Sequence, residues 1–162
     1  MKVAHAAVVL AAGGSTRLGR PKQLRTRDGE TLVHRAARLA IATGATRVLV
    51  VTGAQAEDVA GAVSDLPVEC LVNAQWHEGL AGSVRIAAEA LNHPTGATLL
   101  LACDQLALDA AHLQTLLEAA RRTASSSAAT RLGDRIGIPA VVAPGMLQVA
   151  QAVQGDRGLR DA

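Results

Sequence analysis

With 162 residues, a formal charge of +2 and 49% apolar residues spread along its length, the chain has the size and composition of one domain with a real core. That charge is too small to hold a nucleic-acid backbone by counterion release, and with no Phe or Tyr and Trp76 as its only aromatic residue the chain cannot stack successive bases. The apolar run from Ala4 to Ala12 is too short to span a membrane, lacks a signal-peptide cleavage pattern and passes directly into glycines, so the chain reads as a cytoplasmic protein with no membrane partner.

Short apolar runs alternate with segments of helical period, the pattern of a mostly parallel sheet covered by crossover helices, and the expected class is α/β. The first strand is expected at Ala6 to Ala11. From Leu32 the positions Leu32, Val33, Ala36, Leu39 and Ala40 share one helical face, Arg35 and Arg38 point elsewhere, and Gly44 ends the helix. A strand follows at Arg47 to Thr52, a helix at Ala56 to Val63, a strand at Val68 to Val72, and a helix from near Gly82 to Leu91. The run Ala97 to Ala102 is a strand. Asp109 is a good N-cap for a helix that turns Leu113, Leu116 and Leu117 inward and places Arg121 and Arg122 at its C-terminal dipole. Thr123 to Thr130 has little periodicity and reads as a loop or a weak edge strand, and a last strand is expected near Pro139 to Ala143. Cys70 and Cys103 lie far apart in apolar surroundings and read as two buried, reduced thiols.

The strongest chemical signal is the stretch Leu10-Ala-Ala-Gly-Gly-Ser-Thr-Arg-Leu-Gly-Arg-Pro-Lys22, directly after the first strand. Gly13, Gly14 and Gly19 let backbone approach a ligand closely, so that N–H groups can converge on anionic oxygens. Arg17, Arg20 and Lys22 add positive charge at the same place, and three cations around one loop repel one another unless an anion joins them. The spacing is neither G-x-G-x-x-G nor that of a P-loop, since Arg20 and Pro21 stand where Lys and Ser or Thr belong. A nicotinamide dehydrogenase is therefore disfavoured. Asp104 closes the run Leu99 to Cys103, and a carboxylate at the end of a buried strand suits a hard cation as well as it suits the capping of a turn. Asn73-Ala-Gln-Trp-His-Glu-Gly-Leu-Ala-Gly-Ser83 follows the third strand as a lip of polar groups, with Trp76 either plugging the core or touching ligand. Thr52 and Gly53 stand where a base could be read. His77 and Glu78 read as surface residues.

The run from Leu10 to Lys22 resembles, without a gap, the signature L-A-[AG]-G-x-S-x-R-x-G-x-x-K of the nucleotidyltransferase family that includes the molybdenum cofactor cytidylyltransferases and guanylyltransferases. The resemblance implies a three-layer α/β/α, Rossmann-like fold and one nucleotidyltransferase domain over residues 1–162. It implies that Leu10, Ala11, Ala12, Gly13, Gly14 and Ser15 hold the nucleotide, and that Arg17 and Lys22 neutralise the triphosphate. Family members with Leu-Ala-Ala-Gly tend to use CTP and those with Leu-Ala-Gly-Gly GTP, which favours CTP here. The family's Asp-Gln-Pro segment makes Asp104 a Mg2+ ligand, with Leu106 in place of the proline. The Trp loop is similar to N-x-x-W-x-x-G-x-x-x-S and brings Asn73 and Ser83 to the substrate. Gly137-Ile-Pro-Ala140 and Gly155-Asp156-Arg-Gly-Leu-Arg160 resemble later motifs, the second offering Asp156 to the acceptor or a second metal. Leu159 departs from the usual Ala, and relatives usually continue beyond this point with further helices. The match weakens after Thr123, so either the chain is trimmed or its acceptor pocket is incomplete.

On this reading Arg17, Lys22 and Asp104 form the catalytic set, magnesium is the cofactor, and the acceptor is a phosphorylated small molecule, molybdopterin-bound molybdenum if the cytidylyltransferase relation holds. Contact with molybdoenzyme maturation proteins would follow. The alternatives are a guanylyltransferase, a transferase for another phosphorylated metabolite, and a nucleotide-binding module without turnover.

Overall fold

A computed structural model describes residues 4–14, 21–92 and 96–150, apart from the side chains of 132 and 148–150. Strands β1 (His5–Ala11), β4 (Arg47–Thr52), β5 (Glu69–Val72), β6 (Ala97–Ala102), β7 (Ala128–Leu132) and β8 (Arg135–Val142) form one sheet in the order β5-β4-β1-β6-β8-β7. The first four are parallel, β8 runs antiparallel to β6, and β7 pairs antiparallel with β8. A small hairpin of β2 (Thr26–Arg27) and β3 (Glu30–Thr31) stands apart from the sheet.

Strand β1 is buried at every position because both faces are covered. Ala7, Val9 and Ala11 face α1 (Leu32–Ala42), α2 (Ala56–Ala62) and α4 (Ala110–Arg122), whose Val33, Ala36, Val59, Leu113 and Leu117 share one core cluster with them. Ala6, Val8 and Leu10 join the opposite cluster, with Val84, Ala87 and Leu91 of α3 (Leu80–Leu91) and Leu147 of α5 (Pro144–Ala150). The result is the three-layer α/β arrangement expected of a mostly parallel sheet. Small Ala faces on the helices let them sit close to Val- and Leu-rich strands, which is how a core without Phe or Tyr is filled.

Local signals explain the helix ends. Thr31 accepts a hydrogen bond from the His34 N–H to cap α1, and Gly44, at φ +84°, ends the turn beyond it. The Asp109 carboxylate accepts from the His112 N–H at 2.7 Å, as an N-cap should, and Leu113, Leu116 and Leu117 are buried. Helix α3 starts at Leu80, earlier than expected, because Gly79 at φ 116° makes the turn and Gly82 lies inside the helix. The Ser- and Ala-rich stretch resolves into a turn and then the edge strand β7. One expectation is corrected: Cys103 is buried but Cys70 is exposed, because β5 is the other edge of the sheet and only lightly covered. No described helix is long and apolar enough to cross a membrane.

Candidate active site

From β1 the chain winds outward through β4 and β5, then returns to lay β6 on the other side of β1. The winding reverses between β1 and β6, and ligands of open α/β sheets bind beyond the carboxyl ends of the strands at such a point. Leu10 pairs with Ala102, so the two strands end level and the residues that follow them, Gly13–Gly14 and Asp104, open on one cleft of about 450 Å³. Lys22, Leu80 and Ile138 complete its rim.

Lys22 begins a short 3-10 turn, Lys22–Leu24, closed by the Leu24 N–H on the Pro21 carbonyl (3.1 Å) and the Arg25 N–H on the Lys22 carbonyl (3.1 Å). Its side chain is exposed, as is that of Asp104. Among the described lining residues Lys22 is the cation and Asp104 the acid. Gly13 has nothing within 4 Å of where a side-chain carbon would be, whereas one on Gly14 would lie 2.5 Å from Trp76 Cη2. One on Gly53 would lie 2.5 Å from Trp76 Cβ and 2.7 Å from the Ala12 carbonyl oxygen. The indole therefore rests on two glycines, half-buried against the core, in the plug role that was one of its two readings.

Asn73 and Ser83 are buried and bind each other, the Asn73 amide nitrogen donating to the Ser83 hydroxyl at 3.0 Å. The Asn73 side-chain oxygen accepts from the Gln75 N–H at 3.0 Å, and the Asn73 N–H donates to the Thr52 carbonyl at 2.7 Å. Together they fasten the Trp loop to β4 and to the start of α3. The Thr52 hydroxyl is turned to the Leu71 carbonyl at 3.1 Å, inside the sheet. His77 and Glu78 are exposed, as expected. Ser15, Arg17, Gly19, Arg20 and Asp156 lie outside the described residues.

Sequence reasoning missed the groups that hold these elements in register. Gln23 donates from its amide to the Ala11 carbonyl at 2.8 Å and the Gly13 carbonyl at 2.5 Å. Arg27 donates to the Leu106 carbonyl at 2.6 Å and Arg35 to the Leu108 carbonyl, tying the segment after Asp104 to the hairpin and to α1. Gln105 donates to the Ile138 carbonyl at 2.5 Å, joining that segment to β8. The only available signal was the position of these residues beside the motifs.

Cys103 stands beside Asp104 with its thiol donating to the Leu10 carbonyl at 3.6 Å. Burial, and then the Asp104 charge, push the thiol up to about 12, so it is neutral and no nucleophile. Among the described residues no group of three or more His, Cys, Asp or Glu could enclose a metal. A lone carboxylate on a cleft shared with a glycine loop fits magnesium, which takes one or two carboxylates and fills its remaining positions with substrate oxygens and water.

Across Asp104 the cleft continues into a second hollow of about 680 Å³ over β6 and β8. Its walls are mostly apolar, from Leu100, Ile136, Ile138, Val142 and Met146, with Arg135 the cation among the described lining residues.

Comparison with known proteins agrees with this geometry. Residues 7–162 match the MobA-like NTP transferase domain. The nicotine blue oxidoreductase of Paenarthrobacter nicotinovorans is 37% identical over 160 residues, covering 94% of this chain and 78% of its own. The bifunctional protein GlmU of Anaeromyxobacter dehalogenans is 37% identical over 123 residues, which are 72% of this chain and 25% of GlmU. Among solved structures, Rv0371c from Mycobacterium tuberculosis superposes with a TM-score of 0.82 at 26% identity, covering 98% of this chain and 81% of that one. The nucleotidyl transferase Mth528 from Methanothermobacter gives a TM-score of 0.82 at 25% identity, covering 98% and 79%. The family match, the glycine loop and the carboxylate opposite it agree: the chain belongs to the MobA-like NTP transferase family and is a nucleotidyltransferase.

Proposed function

We propose that this chain is a cytoplasmic, magnesium-dependent transferase of CMP from CTP to a phosphorylated small molecule, molybdopterin-bound molybdenum being the acceptor favoured by the family relation, with molybdoenzyme maturation proteins as its partners. The observation that carries the reading is the meeting of Gly13–Gly14, Lys22 and Asp104 at one cleft, at the reversal of the sheet's winding. An acceptor phosphate oxygen attacks the α-phosphorus of the triphosphate in line, forming one P–O bond as the bond to the β-phosphate breaks and pyrophosphate leaves. A phosphate monoester is already an anion near neutral pH, so the chain need supply no general base. Its work is alignment and charge neutralisation: loop N–H groups hold phosphate oxygens, Lys22 and Arg17 bring positive charge, and Asp104 would hold the cation. Magnesium, when bound, supplies further neutralisation of the phosphate oxygens.

The choice of CTP rests on Leu10-Ala-Ala-Gly13, and GTP with the sister activity is the alternative. Calorimetric titration with CTP and GTP, each with and without magnesium, decides it. Magnesium-dependent binding of CTP supports the reading, preference for GTP moves the chain to guanylyl transfer, and binding of neither refutes both. A second reading follows from the relative named as an oxidoreductase and from the apolar second hollow, which suits a ring-bearing substrate. Redox turnover of such a substrate, without any CTP-dependent turnover, would favour it.

A further inference from the structure

We infer that Gln23 is the positioning residue of the phosphate loop, an assignment that rests on the triphosphate-binding reading of the cleft. Gln23 lies on the 3-10 turn after Lys22, is 5% exposed and borders the cleft. Its amide nitrogen spends both hydrogens on the loop, one on the Ala11 carbonyl and one on the Gly13 carbonyl. The intervening Ala12 carbonyl is held from another side by the Ala54 N–H at 3.3 Å. Three successive carbonyls are thus tied to protein donors. Left free, they would present partial negative charge where phosphate must enter. In a planar trans peptide the N–H of the next residue points opposite to the carbonyl, so fixing the Ala11 and Gly13 carbonyls also fixes the directions of the Ala12 and Gly14 N–H groups. One side chain thereby sets the polarity of the loop.

The other end of the same amide shows which contacts set its orientation. Gln23 Oε1 is buried and, among the described residues, has no hydrogen-bond partner. Turning the amide over does not relieve it, because the oxygen would then face two carbonyl oxygens. The amide orientation is therefore dictated by the two loop carbonyls, which methionine in the same place would leave without these donors.

The test compares the full-length chain with its Gln23→Met and Gln23→Glu variants by calorimetric titration with CTP and with CMP in magnesium, alongside thermal melting. Methionine keeps the length and burial but cannot hold the carbonyls, so triphosphate affinity is expected to fall about tenfold or more. Monophosphate affinity should change much less, narrowing the ratio between the two ligands. Gln23→Glu should lose more at about pH 8, where a carboxylate faces two carbonyls and the incoming phosphates, and recover towards about pH 5 as the protonated acid regains a donor. That recovery is read on Gln23→Glu even where Gln23→Met does not fold. A lower melting temperature with an unchanged CTP-to-CMP ratio, or a Gln23→Glu variant whose affinity does not rise on acidification, would overturn the inference and leave the transferase reading standing. Failure of the unaltered chain to bind CTP or GTP would overturn both.

Discussion

Gly13 and Gly14 are neighbours in sequence, yet their surroundings predict opposite responses to a single added methyl group. At Gly13 no described residue comes within 4 Å of the new carbon, and the backbone does not adopt the left-handed φ that favours glycine. Gly13→Ala should leave the fold intact or raise its stability by about 0.4–1 kcal/mol, because alanine restricts the unfolded chain. For a domain of this size that is an increase of roughly 1–4 °C in Tm. The same methyl group projects where the loop borders the cleft, so CTP affinity should fall about tenfold to a hundredfold, or about 1.4–2.8 kcal/mol. At Gly14 the methyl group would fall 2.5 Å from the indole of Trp76. Relieving that overlap should cost about 1–3 kcal/mol and move the ring. Paired melting and titration of the two variants makes the check, with fluorescence following the indole. A Gly13→Ala variant that melts early, or binds CTP as well as the parent does, would show that the loop is not the open phosphate cradle described above. A Gly14→Ala variant with unaltered stability and fluorescence would show that the indole does not rest there.

Three further outcomes are expected. Lys22→Ala and Asp104→Asn should each lower turnover by about two orders of magnitude or more while Tm stays within a few degrees, because both side chains are exposed and their role lies in charge neutralisation; comparable losses of stability and activity would refute the assignment. Asn73→Ala should cost about 1–3 kcal/mol, since it strands the buried Ser83 hydroxyl and frees the Gln75 N–H, and chemical denaturation should detect it. The cluster of Glu30, His34, Arg38 and Asp65 should give stability a dependence on pH. Arg38 and then His34 hold Glu30 at about 2 against the opposing effect of burial, so its contribution is complete above its unfolded pKa of about 4.3 and fades as pH falls towards 2. Hydrogen bonds to Asp65 and then Glu30 raise His34 above 6.5, so its contribution is present below that value and is lost as pH rises through the elevated pKa. Melting curves between about pH 5 and 9 should decline on the alkaline side by about 1 kcal/mol or less, and His34→Gln should remove that decline.

The sheet was legible because its strands are buried on both faces and therefore spell continuous apolar runs: Arg47 to Thr52 and Ala97 to Ala102 coincide with their strands. The Asp109 cap was legible because capping is a local preference. Cys70 was misread because an apolar pattern does not say which strand will lie at an edge. Of the site, the glycine loop and Asp104 could be read from residue type and place along the chain. Gln23, Arg27 and Arg35 could not, since each acts on a carbonyl of another segment and backbone acceptors leave no mark in the sequence. The Asn73–Ser83 bond belongs to the same class, for the family resemblance named both residues as substrate contacts but not as each other's partner.

The seam between β1 and β6 also separates walls that come from different parts of the chain. The glycine-loop side of the first cleft comes from residues before Leu91 and its Asp104 side from residues after it, whereas the second hollow is walled chiefly by β6, β7, β8 and α5. Substitutions in β7, β8 and α5 can therefore reshape the second hollow while the glycine loop, Lys22 and Asp104 stay in place. Exchanging residues 128–150 between two proteins of this plan would replace most walls of the second hollow and leave Gly13, Gly14, Lys22 and Asp104 in place.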